Sequence, residues 1–234
     1  MDEADECFQG WIDFPHIVAT AIKLLPGLEQ SFNLFWSSDV TELYASERKI
    51  LQIILSQREV EYDWTVLKCP LHTASLNSIE NVFPQSTYVW THRDMKSIIS
   101  SFAGIFVLFR STGFNSPDLK EIGKHSANII ELMMQKGLDE RRKMEGKGAK
   151  FVDFYYSQFI SDPVAAVSEL YSELDLEFTE KVRETLTEYC QESKKARKAA
   201  QKPIRLTLSE LGLEENELDS RFASYYAQFP KVIH

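Results

Sequence analysis

Five side chains in the first half of the sequence have the types and spacings to handle an anionic group and a proton. Lys68 and His72 flank Cys-Pro-Leu, and Arg93 is followed by Ser97 and Ser101 at four-residue steps. Arginine presents forked donors that match phosphate oxygens, and a helix beginning after Arg93 adds unpaired backbone N–H groups and a positive dipole. Hydroxyls at 97 and 101 share one face of that helix. The competing account of Arg93 is a surface ion pair with Asp94. A lysine neutralises phosphate or sulfonate charge, and a histidine removes a proton from an acceptor hydroxyl. The competing account of His72 is a structural histidine, the commoner fate of a lone one. Further on, Lys194 to Arg205 holds six of the 26 Lys and Arg residues. In an acidic chain such a run is either a local anion site or a solvated helix face.

Strands alternating with helices are needed to position these groups. Trp64 to Lys68 reads as a short buried strand stopped by Cys69-Pro70. Ser86 to Thr91 and Phe151 to Tyr155 read as two more, rich in β-branched and aromatic residues. Asp94 caps a helix that turns Ile98, Ile99, Phe102, Ile105 and Phe106 inward, and Asp162-Pro163 starts another. Helices are also expected over residues 5–58, 71–83, 117–143, 179–200 and 214–228. This alternation predicts an α/β fold with a parallel sheet, whose ligands bind beyond the carboxyl ends of the strands. Lys68 with His72, His92 with Arg93, and Ser157 all fall at such ends. Gly146-Lys-Gly148 precedes a strand instead of following one, so it is a turn and not a phosphate loop.

The bulk numbers exclude several classes. At 44% hydrophobic and 26% charged residues, the 234-residue chain is globular, and its net charge of −9 argues against nucleic acid and anionic membranes as partners. Cys7, Cys69 and Cys190 have neither metal-ligand nor disulfide spacing, which points to a reducing, cytoplasmic setting. No secretory leader and no membrane-spanning run is expected.

Trp64-Thr-Val-Leu-Lys-Cys-Pro-Leu-His72, Phe83-Pro84 and Val89-Trp-Thr-His-Arg-Asp94 with Ser101 together resemble the sulfotransferase family that uses 3′-phosphoadenosine 5′-phosphosulfate (PAPS). The nearest branch carries W-V-L-K-S-P-x-H followed by T-H-R-D-P. The likeness runs on through Phe151–Tyr156, the Asp162-Pro163 helix, and Leu206–Leu213 with Phe222–Tyr225. It implies a single domain with a P-loop-NTPase-like parallel sheet. Residues 1–60 would form a helical acceptor-side segment, with Phe14, Trp36 and Tyr44 as apolar lining, and residues 61–234 the nucleotide-binding part. By resemblance Arg93 and Ser101 hold the 3′-phosphate, assisted by Ser97 and by Lys202 and Arg205. Lys68 stabilises charge on the sulfonate, and His72 is the general base. PAPS is the co-substrate, no metal is involved, and the acceptor is a small molecule with a hydroxyl or amine.

The family begins with a strand and a glycine-rich loop of the form P-R-S-G-T-[ST], which wraps the 5′-phosphosulfate. No segment of that form occurs among these 234 residues. Cys69 stands for a common serine and Met95 for the usual proline. The expectation is therefore a truncated sulfotransferase of doubtful activity on its own, with an unpaired sheet edge that invites self-association. The alternatives are a non-catalytic nucleotide-binding or interaction protein derived from the same fold, and an unrelated helical adaptor.

Overall fold

The structure, a computed structural model, describes residues 28–57, 64–111, 118–199 and 206–232. Phe14, Lys202 and Arg205, and the helix expected over residues 5–27, lie outside the described residues. In chain order come α1 (Leu28–Ser37), α2 (Thr41–Ser56), a 3-10 turn (Pro70–Ala74) and α3 (Leu76–Val82). Then follow β1 (Thr87–His92), α4 (Met95–Ser111), α5 (Leu119–Glu145) and β2 (Lys150–Tyr155). The chain continues through α6 (Tyr156–Ser161), α7 (Pro163–Glu173), α8 (Glu180–Ala199), α9 (Glu215–Arg221), α10 (Ala223–Gln228) and a 3-10 turn (Pro230–Val232).

β1 and β2 pair in parallel, from Thr87 opposite Lys150 to His92 opposite Tyr155. Parallel neighbours need a long crossover, and α4 and α5 supply it. Both helices start where side-chain oxygens satisfy orphan N–H groups. The Asp94 carboxylate accepts from the Ser97 N–H at 2.9 Å, and Asp118 accepts from Lys120 and Glu121 at 2.9 and 3.1 Å. Asp162 likewise accepts from the Ala165 N–H at 3.0 Å ahead of Pro163. Ile99, Ala103 and Phe106 of α4 pack with Ile122, Ile129, Ile130 and Met134 of α5 and with Trp90 of β1. Leu211, Leu218, Phe222, Tyr225 and Phe229 bring the C-terminal segment into the same core.

Two glycines on α5 allow close approach. A Cβ at Gly123 would lie 2.2 Å from the Leu211 carbonyl oxygen, and one at Gly137 would lie 2.4 Å from that of Thr73. The second contact seats the Pro70–Ala74 turn, and so His72, directly against α5.

Three expectations change. Residues 64–69 form no strand, and Trp64 and Val66 are exposed. Their composition suits a strand, but a strand exists only through a neighbour's hydrogen bonds, and among the described residues β1 and β2 pair with each other alone. Ile105 is exposed instead of inward, while Ile99, Ala103 and Phe106 of the same helix are buried. The last helix breaks at Phe222, whose burial turns the chain between α9 and α10. Residues 146–148 form the expected turn before β2.

Candidate active site

His72 is held by its environment more than by its own turn. Its Nδ1 lies 2.8 Å from the hydroxyl of Tyr44, a residue of α2 with no exposed surface. Tyr44 is fixed in turn among Val40, Ile79 and Val82. The Nε2 of His72 is buried and has no hydrogen-bond partner within the described protein. Burial disfavours the imidazolium and lowers the His72 pKa to about 4. The ring is therefore neutral at pH 7, with Nδ1 engaged by Tyr44 and Nε2 buried without a hydrogen-bond partner among the described residues. Lys68 precedes it on the extended segment and is exposed.

Arg93 leaves β1 at its carboxyl end, exposed, with its guanidinium carbon 4.6 Å from the centre of the Tyr156 ring. Tyr156 opens α6 at the carboxyl end of β2, so neighbouring strands deliver the two residues side by side. Asp94 is committed elsewhere. One carboxylate oxygen accepts from the N–H and hydroxyl of Ser97, both at 2.9 Å, and the other accepts from Tyr226 at 3.0 Å. Burial pushes the Asp94 carboxyl up, but these bonds outweigh it and hold it below its ordinary value. Ser97 thus serves the cap of α4, while Ser101, one turn on, is exposed.

Next to Arg93, His92 belongs to a different environment. Its side chain has no exposed surface, its Nε2 donates to Asp153 at 2.7 Å, and its Nδ1 lies 3.0 Å from the Tyr225 hydroxyl. Arg141 of α5 grips both oxygens of Asp153, the longer arm at 3.0 Å, and bonds Glu145 at 2.8 Å. Rings of Phe151, Phe229 and Trp90 cover its guanidinium. Burial raises the Asp153 carboxyl, but His92 and Arg141 outweigh it and drive it far below the usual carboxylate range. Burial lowers the His92 pKa more than Asp153 raises it, so His92 is neutral and Asp153 carries the charge that Arg141 matches.

A model of the sulfotransferase family matches residues 29–180, more than half of the chain. This chain is a sulfotransferase-family protein. Its fold is similar to the crystal structure of sulfotransferase STF1 from Mycobacterium tuberculosis H37Rv (type1 form), with a TM-score of 0.72 at 23% identity over 95% of this chain and 55% of that one. It is also similar to sulfotransferase STF9 from Mycobacterium avium, with a TM-score of 0.68 at 22% identity over 82% of this chain and 47% of that one. The chain spans about half the length of those two sulfotransferases. Among curated proteins none matches.

Arg93 lies between β1 and α4, Ser97 in the first turn of α4 and Ser101 one turn further along it. Lys68 and His72 sit on a separate segment, set by Tyr44 and by α5. Trp36 and Tyr44 are core residues at 2% and 0% exposure, so their apolar surfaces are packed within the protein. Ser157 is exposed within α6 and not in a loop. Sequence reading missed Tyr156 as the ring beneath Arg93; its place just past a strand's end was the available signal. It also missed Asp153 and Arg141, whose charges inside a strand and on a core-facing helix turn could have marked a buried pair. Among the described residues no helix is long and apolar enough to cross a membrane, and no cluster of His, Cys, Asp and Glu is arranged to hold a metal ion.

Proposed function

We propose that this sulfotransferase-family chain binds the adenosine 3′,5′-bisphosphate portion of PAPS, with Arg93 and Ser101 on the 3′-phosphate, and serves sulfonate transfer to a hydroxyl or amine. The observation that carries this is the exposure of Arg93 at the carboxyl end of β1, beside the first turns of α4, with Asp94 turned away to Ser97 and Tyr226. The guanidinium keeps its forked donors for an anion, because its contact with Tyr156 is through the ring face. The residues present fit the phosphate end of the nucleotide, and Lys202 and Arg205 are proposed as further donors there. Residues 1–60 form the acceptor side and residues 61–234 the nucleotide side of one domain.

When bound, PAPS supplies the sulfonate group. The chain's part is to orient and to move a proton. With Nδ1–H donating to Tyr44, the lone pair of His72 Nε2 is directed at the acceptor, and it takes the hydroxyl proton as the acceptor oxygen bonds to sulfur. The sulfur–oxygen bond to the 5′-phosphate breaks in the same step, and its electron pair leaves on that oxygen. Lys68 balances charge on the sulfonate as it passes to the acceptor.

A radiolabelled-PAPS assay against phenol, alcohol and amine acceptors tests the reading. Residues 1–234 alone are expected to transfer poorly; in a version given a glycine-rich phosphosulfate loop, transfer that falls about 10²–10⁴-fold in His72→Ala, with nucleotide affinity retained, is the expected pattern. Transfer unchanged by His72→Ala would return that residue to a structural role.

A further inference from the structure

The turn that carries Arg93 is bound from outside by two consecutive tyrosines of α10. The Met95 N–H donates to the Tyr226 oxygen at 3.1 Å, and the Tyr226 hydroxyl donates to Asp94 Oδ1 at 3.0 Å. The Tyr225 hydroxyl donates to His92 Nδ1 at 3.0 Å, and its oxygen also lies 3.4 Å from the Arg93 carbonyl oxygen. Residues 92 to 95 are thus each tied to Tyr225 or Tyr226, more than 130 positions further along the chain. Tyr225 is 2% exposed, packed against Phe229 and His92. Burial pushes both phenols well above their ordinary pKa, so both act as neutral hydroxyls.

The bonds form a chain with direction. Tyr226 fixes one oxygen of Asp94, and the other oxygen caps α4 through Ser97. That cap sets where α4 begins and hence where Ser101 sits, while the backbone of Arg93 is set by its neighbours on either side. A second tether, Lys96 to Asp219 at 3.0 Å, ties the first turn of α4 to α9. The C-terminal helices therefore hold the frame of Arg93 and Ser101 without presenting a ligand of their own.

We propose that Tyr226, supported by Tyr225, is a positioning residue for the 3′-phosphate clamp, acting through Asp94 and the start of α4. This rests on the reading of Arg93 and Ser101 as that clamp. It makes α10 part of the nucleotide site and assigns a role to a hydroxyl that touches neither substrate.

Calorimetric titration of the full chain with adenosine 3′,5′-bisphosphate and with adenosine 5′-phosphate tests it in wild type, Tyr226→Phe, Arg93→Ala and the double variant. Loss of one hydroxyl that orders the turn should weaken the bisphosphate about three- to tenfold and leave the monophosphate unchanged. In the Arg93→Ala background the same substitution should have no further effect, because the clamp it positions is gone. Asp94→Asn, which keeps side-chain volume and weakens the link from its other end, should repeat the pattern. Equal weakening of both nucleotides, no weakening, or an additive loss in the double variant would overturn the proposal. If Arg93→Ala discriminates the two nucleotides and Tyr226→Phe does not, only the positioning role falls. If Arg93→Ala leaves them indistinguishable from wild type, the clamp itself falls and takes this proposal with it.

Discussion

His72 and His92 make the same first contact and differ in the second. Each places Nδ1 against the hydroxyl of a buried tyrosine, Tyr44 at 2.8 Å and Tyr225 at 3.0 Å. His92 then uses its Nε2 on Asp153, inside a network closed by Arg141 and Glu145. His72 leaves its Nε2 buried with no partner among the described residues. A buried polar atom left without a partner costs about 1–3 kcal/mol, so folds retain few of them. The His92 region is a satisfied brace that joins β1, β2, α5 and α10. The His72 region keeps a buried ring nitrogen without a partner among the described residues, and under the proposed function that nitrogen is the general base. Burial alone does not tell the two apart, since it lowers the pKa of both rings. The second nitrogen does.

The largest effect should come from breaking the brace. Asp153→Ala leaves Arg141 without its main charge partner beneath three aromatic rings. Removing one partner of a buried pair costs about 3–5 kcal/mol, and the 29% exposure of Asp153 puts this case near about 3. For a chain of this size that lowers the melting temperature by about 6–12 °C. Thermal unfolding followed by circular dichroism measures it, and a shift under about 2 °C would break the contrast between the two regions.

The next effect is a dependence on pH, and its sign follows from the histidines. A ring whose pKa is about 4 when folded and 6.5 when unfolded binds more protons in the unfolded chain between those values. Stability is therefore fully present above about pH 6.5 and declines as pH falls toward 4. His72 alone contributes roughly 2–3 kcal/mol to that decline, and His92 adds to it in the same direction. Denaturant unfolding at pH 7.5, 6.0 and 4.5 should give steadily lower stabilities. Stability that is flat across that interval would mean that neither ring is held neutral by burial.

Much of this arrangement is legible in the residues, for identifiable reasons. Asp94, Asp118 and Asp162 cap helices through bonds that span two or three positions, so local sequence encodes them. β1 and β2 show in their β-branched and aromatic content, and the α/β alternation follows. Arg93, Ser97 and Ser101 stand out by their spacing alone, although Ser97 proves to be part of the cap. What the sequence hides is pairing at a distance. Residues 64–69 look like a strand and lack the neighbour that would make them one. Asp153 meets His92 across 61 positions, and Tyr226 meets Asp94 across 132. No local pattern predicts which buried group finds which partner.

The comparison sharpens at residues 92 and 93, adjacent in the chain and opposite in role. Arg93→Ala should change stability by no more than about 0.5 kcal/mol, because the side chain is exposed and stacks on the exposed ring of Tyr156. Charged hydrogen bonds to a phosphate contribute about 1.5–3 kcal/mol each, so the same substitution should weaken adenosine 3′,5′-bisphosphate by about tenfold or more. Isothermal titration of wild type and Arg93→Ala, with the melting temperatures of both recorded, is the most direct test of the account. It predicts lost affinity with an unchanged melting temperature; equal affinities, or no measurable binding by wild type, would contradict it.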